Sequence, residues 1–246
     1  MKLNPLLTFL VLFTAFTGCK KKDIPGSPVK YPADVANAWM QMQIRLTRST
    51  AGYNSVVSDR SFGYAGIAMY EALVPGMPGY RSLLSQIGGT PIVPDKKPDQ
   101  YYWPASLNAA MASLTKSFFE TTSDANKASI DSLEAAYATK FQGQTSAANM
   151  QNAIDYGKQV AAAIYTWSST DGAHQAYAHI VDPAYTAPAG NGLWVPTPLA
   201  FAAPVHPHWG SNRSFIANIA AGTQPGTSIT YSESEKSQFY ALANEV

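Results

Sequence analysis

The sequence predicts an all-α fold, a helical bundle joined to a long loop rich in proline and aromatic residues. Three observations carry that expectation. Apolar residues recur at spacings of three and four in successive segments between Val35 and Trp167, one stripe to a segment. Cap-forming residues or a first-turn proline stand before these segments, and Pro or Gly stands behind several of them. From Thr170 to about Thr230 the helical period stops, and a stretch that long without regular structure is usually functional or packed against something larger.

Taken in order, Asp34 is expected to cap a helix that runs through Trp39 and Ile44 toward Arg48, with Val35, Trp39, Met42 and Leu46 on one face. A second helix is predicted over Ser61 to Leu73, its apolar side formed by Phe62, Ala65, Met69 and Leu73, and Val74-Pro75-Gly76 ends it. Its Gly63, Ala65, Gly66 and Ala68 suit close contact with a neighbour. Ile87 to Trp103 has the composition of a loop. Pro104 then fits the first turn of a third helix reaching about Glu120, with Leu107, Met111, Leu114 and Phe118 on its stripe. Ser123 and Asp124 are capping residues for a fourth, with Ile130, Leu133, Tyr137 and Phe141 along one face and Gly143 at its end. Thr145 opens a fifth through Met150, Ile154, Val160, Ile164 and Trp167, where Ala161-Ala162-Ala163 allows close packing. Ser232 with Glu235 makes a capping-box start to a last helix carrying Phe239 and Leu242. That helix meets no stop signal before Val246, which is the pattern expected of an N-terminal fragment.

The opening residues read as an export signal. Lys2 supplies positive charge, Leu6 to Phe16 is an apolar run of about eleven residues, and Thr17 and Gly18 are small residues before Cys19. A spanning helix needs roughly twenty apolar residues, so a cleaved signal is the better reading. Phe16-Thr17-Gly18-Cys19 resembles the bacterial lipoprotein box, with Phe16 where leucine is usual. The resemblance implies a signal peptide over residues 1–18 and Cys19 as the lipid-bearing first residue of the mature chain. Residues 19–32, with Lys20, Lys21, Lys22, Pro25, Gly26 and Pro28, then form a flexible tether, and residues 33–246 the helical part. Cys19 is the single cysteine, so no disulfide forms within the chain. The expected location is outside the cytoplasm, lipid-anchored at the periplasmic face or cell surface of a bacterial membrane.

Composition excludes some classes of partner. Net charge is +1 and charged residues make up 13%, with no basic stripe to follow a phosphate backbone, so nucleic acid is not an expected partner. Nucleophile-elbow, phosphate-loop, H-E-x-x-H and dinucleotide signatures do not occur. The histidines are His174, His179, His206 and His208. With Asp171 and Asp182 they could supply metal ligands, but the spacing matches no closed zinc pattern, and loop hydrogen bonding is the plainer use. No metal site is predicted. Arg45 and Arg48 lie about one turn apart and could meet an anion, although a solvated face suits them better.

The most informative stretch is Gly192 to Gly210. Pro196, Pro198 and Pro204 stiffen it, and Trp194, Phe201 and Trp209 give it large apolar anchors. Such a segment is expected to lie extended across a surface and bury its rings against helices. Its pattern W-x-P-T-P-x-A-F-x-x-P…H-W-G, from Trp194 to Gly210, is similar to one that precedes the catalytic half of bacterial vanadium-dependent haloperoxidases and their type 2 phosphatidic acid phosphatase relatives. Trp39, Arg48 and the run Ser61 to Ala72 also resemble that group's first helices. The resemblance implies the N-terminal half of the vanadium haloperoxidase fold, with Trp194, Pro196, Pro198, Phe201, His208 and Trp209 as structural or accessory loop residues. It implies peroxide-dependent halide oxidation or phosphomonoester hydrolysis for a whole protein. The oxyanion site of the family is built from K-x6-R-P, P-S-G-H and S-R-x5-H, and none of the three occurs in this chain. No catalytic residue is therefore assigned, no cofactor is expected in this chain, and vanadate would come only with a missing or separately encoded C-terminal half. A reading of another class is a helical surface lipoprotein that captures glycans or other ligands on Trp194, Trp209 and Tyr185 without catalysis.

Overall fold

The computed structural model describes residues 30–87 and 100–245. The predicted signal peptide, Cys19 and the tether as far as Val29 lie outside the described residues. The described residues form seven α-helices: α1 (Asp34–Ser49), α2 (Ser55–Glu71), α3 (Trp103–Phe118), α4 (Asp124–Lys140), α5 (Ala147–Ser168), α6 (Ile219–Gly222) and α7 (Gln238–Ala243). Three single 3-10 turns join them, at Val74–Gly76, Ala176–Ala178 and Trp209–Ser211. No strand occurs among the described residues, so the predicted all-α class is the observed one.

The bundle is organised around α3. It packs against α1, α2, α4 and, most extensively, α5. The predicted stripe of Leu107, Met111, Leu114 and Phe118 is buried, but so are Ala105, Ala109, Ala110, Ala112 and Asn108 on the other sides. A helix buried all round must offer small side chains wherever a neighbour approaches, and the alanines do so. Gly157 of α5 makes the closest approach: a Cβ there would stand 2.1 Å from the Ser106 carbonyl oxygen. Ala153 and Ala161, one turn to either side, are also buried against α3 and its surroundings. The expected triple-alanine contact reduces to Ala161, because Ala162 faces outward.

Polar groups inside the bundle are tied off across helices. Trp39 Nε1 donates to Asn108 Oδ1 at 2.9 Å, and Asn108 Nδ2 donates to the Glu134 carbonyl at 3.0 Å. One asparagine thus connects α1, α3 and α4. Tyr156 donates to the Glu71 carbonyl at 3.0 Å, and Ser106 to the Ala72 carbonyl at 2.8 Å, so α5 and α3 satisfy the end of α2. Unpaired, such buried carbonyls would each be unfavourable by about 1–3 kcal/mol.

Several local expectations are corrected. Asp34 is not a cap: position Ala33 precedes the helix without a side-chain bond, and the Asp34 carboxylate instead pairs with Lys140 at the end of α4. Tyr137 also donates to the Asp34 carbonyl, at 3.0 Å. α2 starts at Ser55 rather than Ser61, because the Asn54 side chain accepts the Val57 N–H and supplies the cap. Its buried face is Ser61, Tyr64, Ala65 and Ala68, whereas Phe62 and Met69 are half-buried. Small residues win the inner face because the helix lies close to α3 and α5. Ser146, not Thr145, caps α5 by accepting the Asn149 N–H. Ser232 and Glu235 do not start the last helix; Ser237 caps it, accepting from Tyr240 N at 3.1 Å, and Ser234 is used in the turn before it.

The α3–α5 contact gives a direct test. Gly157→Ala should destabilise the fold by about 2 kcal/mol, the scale of an overpacked core site. Urea denaturation followed by circular dichroism measures it, and an unchanged midpoint would show that the two helices have room between them.

Candidate functional site

α5 ends at Ser168, and its last carbonyls face two guanidinium groups from distant parts of the chain. Arg60, on α2, donates from Nη2 to the Ser168 carbonyl at 2.6 Å. Arg213 donates from Nη2 to the Trp167 carbonyl at 2.7 Å and from Nη1 to Thr170 Oγ1 at 2.8 Å. Positive charge at a helix C-terminus meets the negative end of the helix dipole. Asp171, in the next turn of chain, pairs with Arg60. Its Oδ2 accepts from Arg60 Nε at 2.7 Å and from the Tyr64 hydroxyl at 2.8 Å. Its Oδ1 accepts from Arg60 Nη2 at 3.1 Å and from Ala173 N at 2.8 Å.

Rings close the cluster off. Arg213 lies 4.7 Å from the Trp167 ring centroid and Arg60 4.9 Å from that of Tyr64. Phe215 seals the edge, 4.8 Å from Tyr64, and Gly63 makes room for it, since a Cβ there would stand 2.6 Å from the Phe215 ring. Burial first, and the Asp171 charge second, push the Tyr64 hydroxyl up to about 12. Tyr53 and Tyr177, stacked 5.6 Å apart beside the cluster, are raised as well, chiefly by burial.

This cluster holds the proline-rich segment in place. Arg213 N donates to the Asp171 carbonyl at 2.8 Å, which brings the two ends of the long loop together. Inside that closure, His206 N donates to the Ile180 carbonyl at 2.7 Å, making a second, tighter neck. Trp209 packs on Val57, Ala173 and Ala176. Trp209 is thus an anchor, as the sequence suggests. Trp194 and Phe201 are not: both stand more than half or about half exposed, and Leu199 is 99% exposed. The expected burial of these rings against the helices does not occur: residues 181–205 lie beyond both necks, and none of them joins the buried clusters of the described residues. They form instead an open cavity of about 720 Å³ walled by Tyr185, Trp194, Pro198, Leu199 and Pro204 among others.

The sequence grouped Asp171, His174, His179 and Asp182. The structure separates Asp171, which is spent on Arg60, from the rest. His174, His179, Asp182, His206 and His208 line a second cavity of about 400 Å³. His208 contacts Asp182 across it, Nε2 to Oδ2 at 3.0 Å, and the Ala184 N–H followed by His208 holds the Asp182 carboxyl below its usual range. Arg45 and Arg48 are exposed on the outer side of α1, and Arg45 rests on Met42. The Arg60–Asp171–Arg213–Tyr64 cluster was not foreseen. Its sequence signal is faint: arginines far apart in the chain, one of them next to Asp59, and an aspartate just past a helix end.

The chemistry of the donor set bears on whether an oxyanion such as vanadate could be held. Such a group needs fixed cationic donors aimed into open space. Arg60 and Arg213 face inward and bind the chain's own oxygens. Among the described residues the donors of an oxyanion site are not assembled.

Two measurements test the cluster. Asp171→Asn leaves Arg60 buried without its countercharge and should destabilise the fold by about 3 kcal/mol in urea denaturation. Tyr64 keeps its proton to about pH 12 in the folded chain but loses it near pH 10 when unfolded. Its contribution is therefore whole below pH 10 and lost as pH rises through 12. Tyr64→Phe should make the alkaline fall in melting temperature shallower, and an identical fall in both proteins would count against the cluster's part in it.

No family model matches this sequence, and no curated protein matches it. Among solved structures it is similar to a bacterial vanadium-dependent iodoperoxidase, with a TM-score of 0.68 and 24% sequence identity. The match covers 89% of this chain and 50% of that one, so the chain spans half the length of the enzyme it resembles. The likeness at this identity is one of architecture, and the chain carries a vanadium haloperoxidase-like, all-α fold.

Proposed function

We propose that this chain is the N-terminal helical half of an exported, lipid-anchored protein of the vanadium-dependent haloperoxidase or type 2 phosphatidic acid phosphatase kind. One observation carries the reading: nearly all of the chain superposes on half of a vanadium-dependent iodoperoxidase. The Trp194 to Gly210 pattern supports it independently of the fold. So does the distribution of bare apolar side chains, since Val195, Leu199, Phe201, Val205, Ile216 and Leu242 are exposed and follow one another along the last quarter of the chain.

In this reading the chain supplies a scaffold. Asp171 and the two arginines hold the long loop against the bundle, and residues 181–205 present their rings to a further half that carries K-x6-R-P, P-S-G-H and S-R-x5-H. The whole protein would oxidise halide with peroxide or hydrolyse a phosphomonoester. In this reading the chain alone would do neither, because none of the three motifs occurs in it. Export and attachment through Cys19 place the protein at a bacterial membrane surface. Among the described residues no helix is long and apolar enough to cross a membrane. The glycan-binding reading draws on a single feature, the open cavity with Trp194 and Tyr185 in its wall.

Equilibrium dialysis of the purified chain against vanadate tests the proposal. Retention should equal that of a control protein, and should appear when the chain is produced with a segment bearing the three motifs. Tight retention by the chain alone would overturn the reading. Saturable quenching of tryptophan fluorescence by an oligosaccharide, lost in Trp194→Ala, would replace it with the glycan-binding one.

A further inference from the structure

All four histidines of the chain line the one cavity of about 400 Å³, although they come from separate stretches of the long loop. Two of them are prepared for a ligand. His208 Nε2 lies 3.0 Å from Asp182 Oδ2, and a carboxylate only accepts, so Nε2 carries the hydrogen and Nδ1 is the ring nitrogen left for a ligand. A carboxylate behind an imidazole is the usual outer support of a metal-bound histidine. His206 is the second. Its Nε2 is buried and has no hydrogen-bond partner. The backbone fixes it there, with φ at 46°, its N–H on the Ile180 carbonyl at 2.7 Å and its own carbonyl accepting from Trp209 N at 3.0 Å.

We propose that this cavity binds a borderline transition-metal cation such as Zn²⁺ or Ni²⁺, with His206 and His208 as its first ligands and Asp182 as the outer support of His208. Neutral imidazoles suit such ions, and the lone pairs of two rings in one cavity offer what a single surface histidine does not. Among the described residues no three candidate ligands already stand close enough to enclose an ion. A third ligand would come from His174 or His179, both exposed and both lining the same cavity. Asp171 takes no part, being held by Arg60. The site uses only residues of this chain and does not rest on the reading of the chain as half of a larger protein.

Isothermal titration of the tag-free chain tests this, with Cys19→Ser so that the thiol adds no ligand. Zn²⁺ should bind with one-to-one stoichiometry, and Ni²⁺ should quench fluorescence from Trp209, whose ring lies 5.2 Å from His206. His206→Asn, which tolerates left-handed backbone, should abolish binding. Asp182→Asn should weaken it about tenfold, as loss of an outer support does. His208→Gln gives a second route if His206→Asn does not fold, and circular dichroism of each variant decides that. No heat above that of Mg²⁺, or an affinity unchanged in both histidine variants, overturns the proposal.

Discussion

The contact between Arg60 and Asp171 is the constraint on which the rest of the arrangement depends. α5 ends with its carbonyls turned toward the interior side of α2, where unpaired they would be unfavourable. Arg60 answers them from α2 and Arg213 from the far end of the long loop. The buried Arg60 guanidinium requires a carboxylate, and Asp171 provides it within three residues of the helix end. The chain leaving α5 is thereby fixed to α2, and the chain returning after the loop is fixed to α5.

The pair is better understood as a device for specificity than as a source of stability. Removing two charges from water opposes much of their attraction, so buried ion pairs contribute little net stabilisation. Stability comes from the apolar packing around α3, where Trp39, Trp103, Met111, Leu114 and Ile164 are fully buried. That packing would tolerate several paths for the residues after Thr170. The ion pair, the Tyr64 hydroxyl and the Ala173 N–H admit one, because every other path strands a charge.

The helices were legible because burial on one side writes a period of three to four into the sequence. α1 and α4 read correctly along their lengths, and the Ser123 cap was plain. α2 misled because its inner face mixes Tyr64 and Ile67 with Ser61, Ala65 and Ala68, which carry little hydrophobic signal, while the larger Phe62 and Met69 sit at its flanks. Asp34 looked like a cap by type alone, and the deciding partner, Lys140, lies over a hundred residues away. The same distance hid the buried cluster: Arg60, Asp171 and Arg213 have no shared motif, and only the fold brings them together. The histidines were noticed as two groups, and nothing in their spacing joined them. The proline-rich segment signalled its extended form, but which rings would be covered depended on surfaces that the pattern does not name.

The double closure of the long loop has a consequence for how this architecture can vary over descent. The neck between Ile180 and His206 is made by backbone groups alone, and the outer closure by Arg213 N on the Asp171 carbonyl is backbone on backbone too. Neither depends on the identity of side chains between them. Doubling the length of a loop already closed at its base adds only about 0.6 kcal/mol of closure entropy. Residues 181–205 can therefore be lengthened, shortened or rewritten in a lineage without disturbing the helices that carry them, and new recognition can be tried on an old frame.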